Sequence, residues 1–258
     1  MGKVVERSCF FEQDPSRTIA RRAAVEALGT GLLLIAIAGA GLSSRQIFHD
    51  SSLVAWTAGA IATGTALAAL IVAFGSASGG HFNPLISLLQ ALTGERPWSC
   101  AVSYVIAQVL GGLLGAWLAN IVFAVDRSMA VPRAADWRLG ASELIATAAL
   151  MTLVFSYARS GRRETGPFAV GIWIVAASIA TPSASLANPA VTLAGLVTGG
   201  SFALSAPLAG IYLLAQCAGA LIALPLIACA YPHPSYSAAL AASAPTTAML
   251  GNNVAGKP

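Results

Sequence analysis

Two stretches decide how this chain folds: Ser78-Gly-Gly-His-Phe-Asn-Pro-Leu85 and Ser185-Leu-Ala-Asn-Pro-Ala-Val-Thr192, their Asn-Pro pairs 105 residues apart. Asn is a good helix N-cap and Pro is preorganised for the first helical position, so each pair reads as the abrupt start of a helix. About ten residues follow in each case, Asn83 to Leu92 and Asn188 to Val197, enough for roughly 15 Å of helix at 1.5 Å per residue. That is half of a bilayer core about 30 Å thick. The backbone just before each pair, Ser78 to Phe82 and Ser183 to Ala187, is then irregular at membrane depth, which is tolerated only where it is buried in protein or lines a watery cavity.

The rest of the sequence makes a bilayer the solvent. Of 258 residues, 57% are hydrophobic and 9% charged, with a mean hydropathy of +0.75, whereas soluble domains carry about 25% charge. Uncharged or nearly uncharged runs occupy Ala23 to Leu42, which holds only Glu26, then Ser51 to Gly94 and Trp98 to Val125. Leu139 to Ala158 holds only Glu143, and Thr165 to Gly256 holds no charge. Cut at turn residues, these runs supply six full spans and two short pieces. With the N-terminus inside, ten Lys and Arg fall on the cytoplasmic side (Lys3, Arg7, Arg17, Arg21, Arg22, Arg96, Arg159, Arg162, Arg163, Lys257) and four outside (Arg45, Arg127, Arg133, Arg138), the bias expected of cytoplasmic loops.

A net charge of +4, scattered in short clusters, offers no stripe for nucleic acid. The cysteines Cys9, Cys100, Cys217 and Cys229 form no Cys-x-x-Cys pair, so neither a disulfide framework nor a metal site is expected. No nucleophile-base pair or metal cluster points to an enzyme, and no cofactor is called for. The charged N-terminal segment 1–18 reads as a retained, solvated cytoplasmic face, and 232–258, rich in Pro, Ser and Ala, as a flexible tail.

The halves between them repeat. Glu26-Ala-Leu-Gly-Thr matches Glu143-Leu-Ile-Ala-Thr, and Ala107-Gln-Val-Leu-Gly-Gly matches Ala215-Gln-Cys-Ala-Gly-Ala. Three spans in each half, about 19–125 and 139–231, force the second repeat to enter the membrane from the opposite side, and inverted repeats place solute sites at the midplane. The two short helices then meet with their N-termini, and their partial positive charges, at the membrane centre. Gly111, Gly112, Gly115 and Gly219 permit close helix packing. Glu26 and Glu143 are intramembrane carboxylates at equivalent positions. They read either as a proton relay or as acceptors for backbone N–H groups of the loops.

On these residues the sequence resembles the major intrinsic proteins, the aquaporins and aquaglyceroporins, over about residues 20 to 231. The resemblance implies an all-α membrane protein: a right-handed bundle of six transmembrane helices and two re-entrant half-helices, assembled as a homotetramer in the bacterial inner membrane with both termini cytoplasmic. Asn83, Pro84, Leu85, Asn188, Pro189 and Ala190 are its implied pore signature, with Gly80, His81 and Ala187 on the pore-lining loops. Glu26 and Glu143 are then loop supports. Counting from the Asn residues carries the outer constriction onto Thr63, Ala176, Ser185 and Val191, where Val191 replaces the usual Arg.

Losing a guanidinium removes volume and a fixed charge while Thr63 and Ser185 keep hydroxyls, which predicts a wide neutral gate. The Asn-Pro-Leu motif together with this Val resembles the aquaglyceroporins associated with bacterial arsenic resistance. The implied solutes are undissociated arsenite and antimonite, small methylated arsenicals, water and glycerol. The alternatives are a general water and glycerol channel, a proton-coupled transporter and a non-conducting junction protein.

Overall fold

The computed structural model describes residue 12 and residues 16–47, 52–125, 134–162 and 164–231. The expected tail and most of segment 1–18 lie outside these. The described residues form helices joined by loops, without strands: α1 (Ile19–Ile47), α2 (Ser52–Ser78), α3 (Pro84–Leu92), α4 (Trp98–Val122), α5 (Trp137–Arg159), α6 (Gly166–Ala180), α7 (Pro189–Gly195) and α8 (Ala206–Ala230), with a 3-10 turn at Gly200–Phe202.

Among the described residues, five helices are long and apolar enough to cross a membrane, and α6 is shorter, at 15 residues. That is roughly 22 Å of helix, so the sixth expected span is not of full length. Its end has a local cause: Thr181 is extended, at φ −119° and ψ 141°, as the residue before a proline must be to avoid the ring of Pro182.

Packing follows the repeat. α1 packs on α4 and α5 on α8, while α2 and α6 join the halves. On α4 the buried face carries Tyr104, Gln108, Gly111 and Gly115, and the exposed face Leu110, Leu114, Trp117 and Ile121. Small and polar groups point inward and large apolar ones outward, as expected when lipid tails are the solvent. A Cβ at Gly111 or Gly115 would collide with the carbonyl oxygens of Ala27 and Gly31 on α1, and one at Gly219 with that of Leu144 on α5. The close packing read from these glycines is therefore used between helices of one chain.

At one end of the bundle the chain holds its charges inside. Glu12 is 2% exposed and bridges two guanidiniums, Arg22 Nη1 at 2.7 Å and Arg96 Nη2 at 3.2 Å. Arg159 Nη2 reaches Glu95 at 2.8 Å and its Nη1 donates to the Tyr231 carbonyl. This corrects the reading of the N-terminal charges as a solvated face, at least for Glu12. Its partners are 10 and 84 residues away, beyond the reach of local pattern.

Candidate functional site

The site is built where the two half-helices meet. Asn83 caps α3 at φ −149° and ψ 121°, its Oδ1 accepting from the Leu85 N–H at 3.0 Å. Asn188 caps α7 at φ −153° and ψ 112°, its Oδ1 accepting from Ala190 N–H at 3.0 Å. Each amide also donates across the repeat boundary: Asn83 Nδ2 to the Ala187 carbonyl at 2.9 Å, Asn188 Nδ2 to the Phe82 carbonyl at 2.8 Å. Pro84 and Pro189 occupy the first turn of their helices, and Leu85 and Ala190 are buried. An Asn amide has two N–H donors, so each retains one beyond these bonds. Helix α7 ends at Gly195, before the expected Val197, because its last turn tightens as the Val197 and Thr198 N–H groups both reach the Ala194 carbonyl.

The loops before the half-helices share one backbone path. Positive φ occurs at Gly79, Gly80 and Phe82 (101°, 64°, 46°) and at the equivalent Ala184, Ser185 and Ala187 (67°, 50°, 46°). Each path is pinned by a carboxylate. Glu26 accepts from Ser78 Oγ at 2.6 Å, from the His81 and Phe82 N–H groups at 3.0 and 2.7 Å, and from Gln108 Nε2 at 2.8 Å. Glu143 accepts from the Leu186 and Ala187 N–H groups and from Gln216 Nε2, all at 2.8 Å. Both carboxylates are fully buried, and such groups persist in a membrane only when hydrogen-bonded.

Gln108 and Gln216 extend the symmetry, donating also to Ser87 Oγ at 3.1 Å and Thr192 Oγ1 at 2.9 Å. Sequence reading saw these glutamines as repeat markers and missed their place here. Their 108-residue spacing, shared by Tyr104 and Tyr212, was the available signal. Tyr104 donates to the Ser78 carbonyl at 2.6 Å, beneath the Arg96 guanidinium at 4.8 Å from its ring. His81 stands edge-on to the same ring at 5.2 Å, with Nδ1 2.8 Å from Ser87 Oγ.

A cavity of about 960 Å³ passes between the loops, lined by Gly80, His81, Asn83, Asn188, Thr63, Ser185 and Val191 among others. The Ser185 hydroxyl, in a residue 3% exposed, has no protein partner. Two of the expected lining residues do not line this cavity. Ala187 is wholly buried behind the wall, its N–H and carbonyl spent on Glu143 and Asn83. Ala176 is exposed on the outer face of α6, and Val170, Ile174 and Ser178 line the cavity instead. These three recur every fourth residue, whereas Ala176 lies two residues past Ile174, about 200° around the helix.

Two half-helices meeting N-terminus to N-terminus inside an inverted repeat, beside a cavity between their loops, define a multi-pass membrane channel. The major intrinsic protein family matches residues 15–186, and the chain belongs to this family of channels, which are not enzymes. It is 42% identical over 180 residues to the aquaglyceroporin AqpS of Rhizobium meliloti (strain 1021), covering 68% of this chain and 75% of that protein. Aquaporin Lacbi1:233199 of Laccaria bicolor is 33% identical over 195 residues, covering 66% and 73%. The X-ray structure of the aquaglyceroporin from Plasmodium falciparum superposes with a TM-score of 0.65 at 19% identity, covering 81% of this chain and 99% of that one.

Proposed function

We propose that this chain is a passive, aquaglyceroporin-type channel with a wide neutral outer gate, passing water, glycerol, undissociated arsenite and antimonite, and small methylated arsenicals. The observation that carries the reading is Val191, 2% exposed at the cavity wall, where the family places an Arg. The gate comprises Thr63, Ile174, Ser185 and Val191. Hydroxyls of Thr63 and Ser185 replace part of a solute's hydration, while Ile174 and Val191 set the width without charge. Asn83 and Asn188 each offer their second N–H at the midplane, and a line of fixed donors suits an uncharged hydroxylated solute. Arsenous acid is such a solute near neutral pH.

The partial positive charges of the two half-helix N-termini, about half an elementary charge each, oppose cations. Desolvation opposes every ion. Glu26 and Glu143 serve as loop supports: both oxygens of each carboxylate are engaged, which favours this role over a proton relay. The functional unit is residues 19–231, in a homotetramer of the bacterial inner membrane with both termini cytoplasmic.

Stopped-flow permeability of proteoliposomes tests the gate. Wild type is expected to pass glycerol, arsenite and monomethylarsenite above empty-liposome rates, and Val191→Arg to reduce these by tenfold or more while leaving water within a factor of about three. A gate difference of 1.4 kcal/mol gives that tenfold. A wild type that conducts only water, with Val191→Arg unchanged, removes the metalloid reading. Uphill solute accumulation coupled to protons removes the channel itself.

A further inference from the structure

Trp56 is the cavity-lining residue whose role the gate does not absorb. It lies seven residues before Thr63 on α2, and both line the cavity, so the two share one helical face about 10 Å apart. Its indole Nε1 donates to the Ser178 carbonyl on α6 at 3.0 Å, across 122 residues of sequence. Tryptophans near membrane surfaces ordinarily sit at headgroup level with their polar edge in the wet layer, and Trp98, Trp117 and Trp137 are 53%, 56% and 72% exposed. Trp56 is itself 36% exposed but turns its donor into the protein.

The reason is visible in the covalent chain. The Ser178 carbonyl would accept from the N–H of residue 182 if α6 continued, but residue 182 is proline and has none. The Thr181 N–H already serves the Ala177 carbonyl. The indole supplies the donor that Pro182 lacks. From Pro182 the chain enters the second re-entrant loop at once: Ser183 Oγ accepts from the Ser185 N–H at 3.1 Å, and Ala184 and Ser185 hold positive φ.

We infer that Trp56 is a positioning residue for solute selection: by bonding the Ser178 carbonyl it anchors the end of α6 that Pro182 sets, and so holds the start of the loop and the Ser185 hydroxyl in the cavity. This rests on the reading of the cavity as the solute path. Removing the bond frees the start of the loop, and the mouth yields to larger solutes before it yields to water. A backbone N–H at residue 182 makes the indole donor dispensable.

The test is a double-mutant cycle in proteoliposomes, with Trp56→Phe, Pro182→Ala and the pair, reading the ratio of glycerol to water permeability. Trp56→Phe keeps a ring and loses the N–H; its ratio is expected to rise about two- to tenfold, the range set by loss of one ordinary hydrogen bond. In the Pro182→Ala background the same change is expected to move the ratio by less than about 1.5-fold. A Trp56→Phe channel in which both permeabilities fall in proportion has lost only folded protein, and overturns the inference. An equal ratio change in both backgrounds overturns it too. If Trp56→Phe does not reconstitute, a double variant that does, with the wild-type ratio, supports the bond; a double variant that also fails overturns it. Wild-type liposomes no more permeable than empty ones instead defeat the channel reading, which separates the two failures.

Discussion

The two re-entrant loops follow the same backbone path with different chemistry on it. The first spends glycine at two of its three positive-φ positions, Gly79 and Gly80, and the second puts Ala184 and Ser185 there. A non-glycine residue in that region costs about 1–2 kcal/mol, so the second loop accepts strain where the first does not. In exchange it brings a hydroxyl, that of Ser185, to the cavity with no protein partner. The carboxylate anchors of the two loops also differ in number. Glu26 accepts four hydrogen bonds and Glu143 three, and behind the first loop stand Tyr104, Arg96 and Glu12. On the proposed reading the first loop is the frame, pinned by four hydrogen bonds to Glu26, and the second carries the hydroxyl that faces the solute.

The largest expected effect breaks the frame. Glu26→Ala leaves the His81 and Phe82 N–H groups, the Ser78 hydroxyl and the Gln108 amide without their acceptor. At about 1–3 kcal/mol for each unsatisfied buried group, it is expected to abolish monodisperse protein in detergent. Glu143→Ala orphans three donors and is expected to fold with a lowered thermal midpoint. Finding Glu143→Ala the worse of the two by size-exclusion profile reverses the comparison.

A middle-sized effect probes the clamp behind the first loop. Glu12→Ala leaves the buried Arg22 and Arg96 guanidiniums without their shared carboxylate. Breaking a buried pair costs about 3–5 kcal/mol when the remaining charge stays dry, and less here, since Arg96 Nε keeps the Gln90 side-chain oxygen at 2.8 Å. The expected outcome is a fall of several degrees in the thermal midpoint with an unchanged glycerol-to-water ratio. A changed ratio shows that the first loop also selects.

The smallest effects compare the two backbones directly. Gly80→Ala places a Cβ at positive φ and 3.2 Å from Gly75 Cα, and is expected to destabilise by about 1–2 kcal/mol. Ala184→Gly relieves strain against the added chain entropy of glycine and is expected to stabilise by about 0.5 kcal/mol. Differential scanning fluorimetry of the two reads opposite signs if the loops differ as described, and the same sign if they do not.

Much of this site was legible because its signals are local. An Asn-Pro pair announces a capped helix, and a lone Glu in an apolar run announces a buried partner. What escaped depends on register or distance. Counting back from Asn188 to Ala176 assumes a loop length that Thr181 and Pro182 alter, and the cavity face of α6 falls on Ile174 and Ser178. Trp56 and Glu12 carry no marker of their own, because each matters through a partner far along the chain. Gln108 and Gln216 lay between these cases, marked by their spacing but not by any local rule.

The reciprocal bonds of the two asparagines bear on how the protein is made. Asn83 needs a carbonyl that lies 104 residues further along the chain, and the Phe82 carbonyl needs an amide 106 residues away. At a synthesis rate of about 5–20 residues per second, the first half waits about 5–20 seconds for its counterpart. Throughout that interval the half-helix end lacks the partner that completes it, so the first repeat closes only once the second has been made.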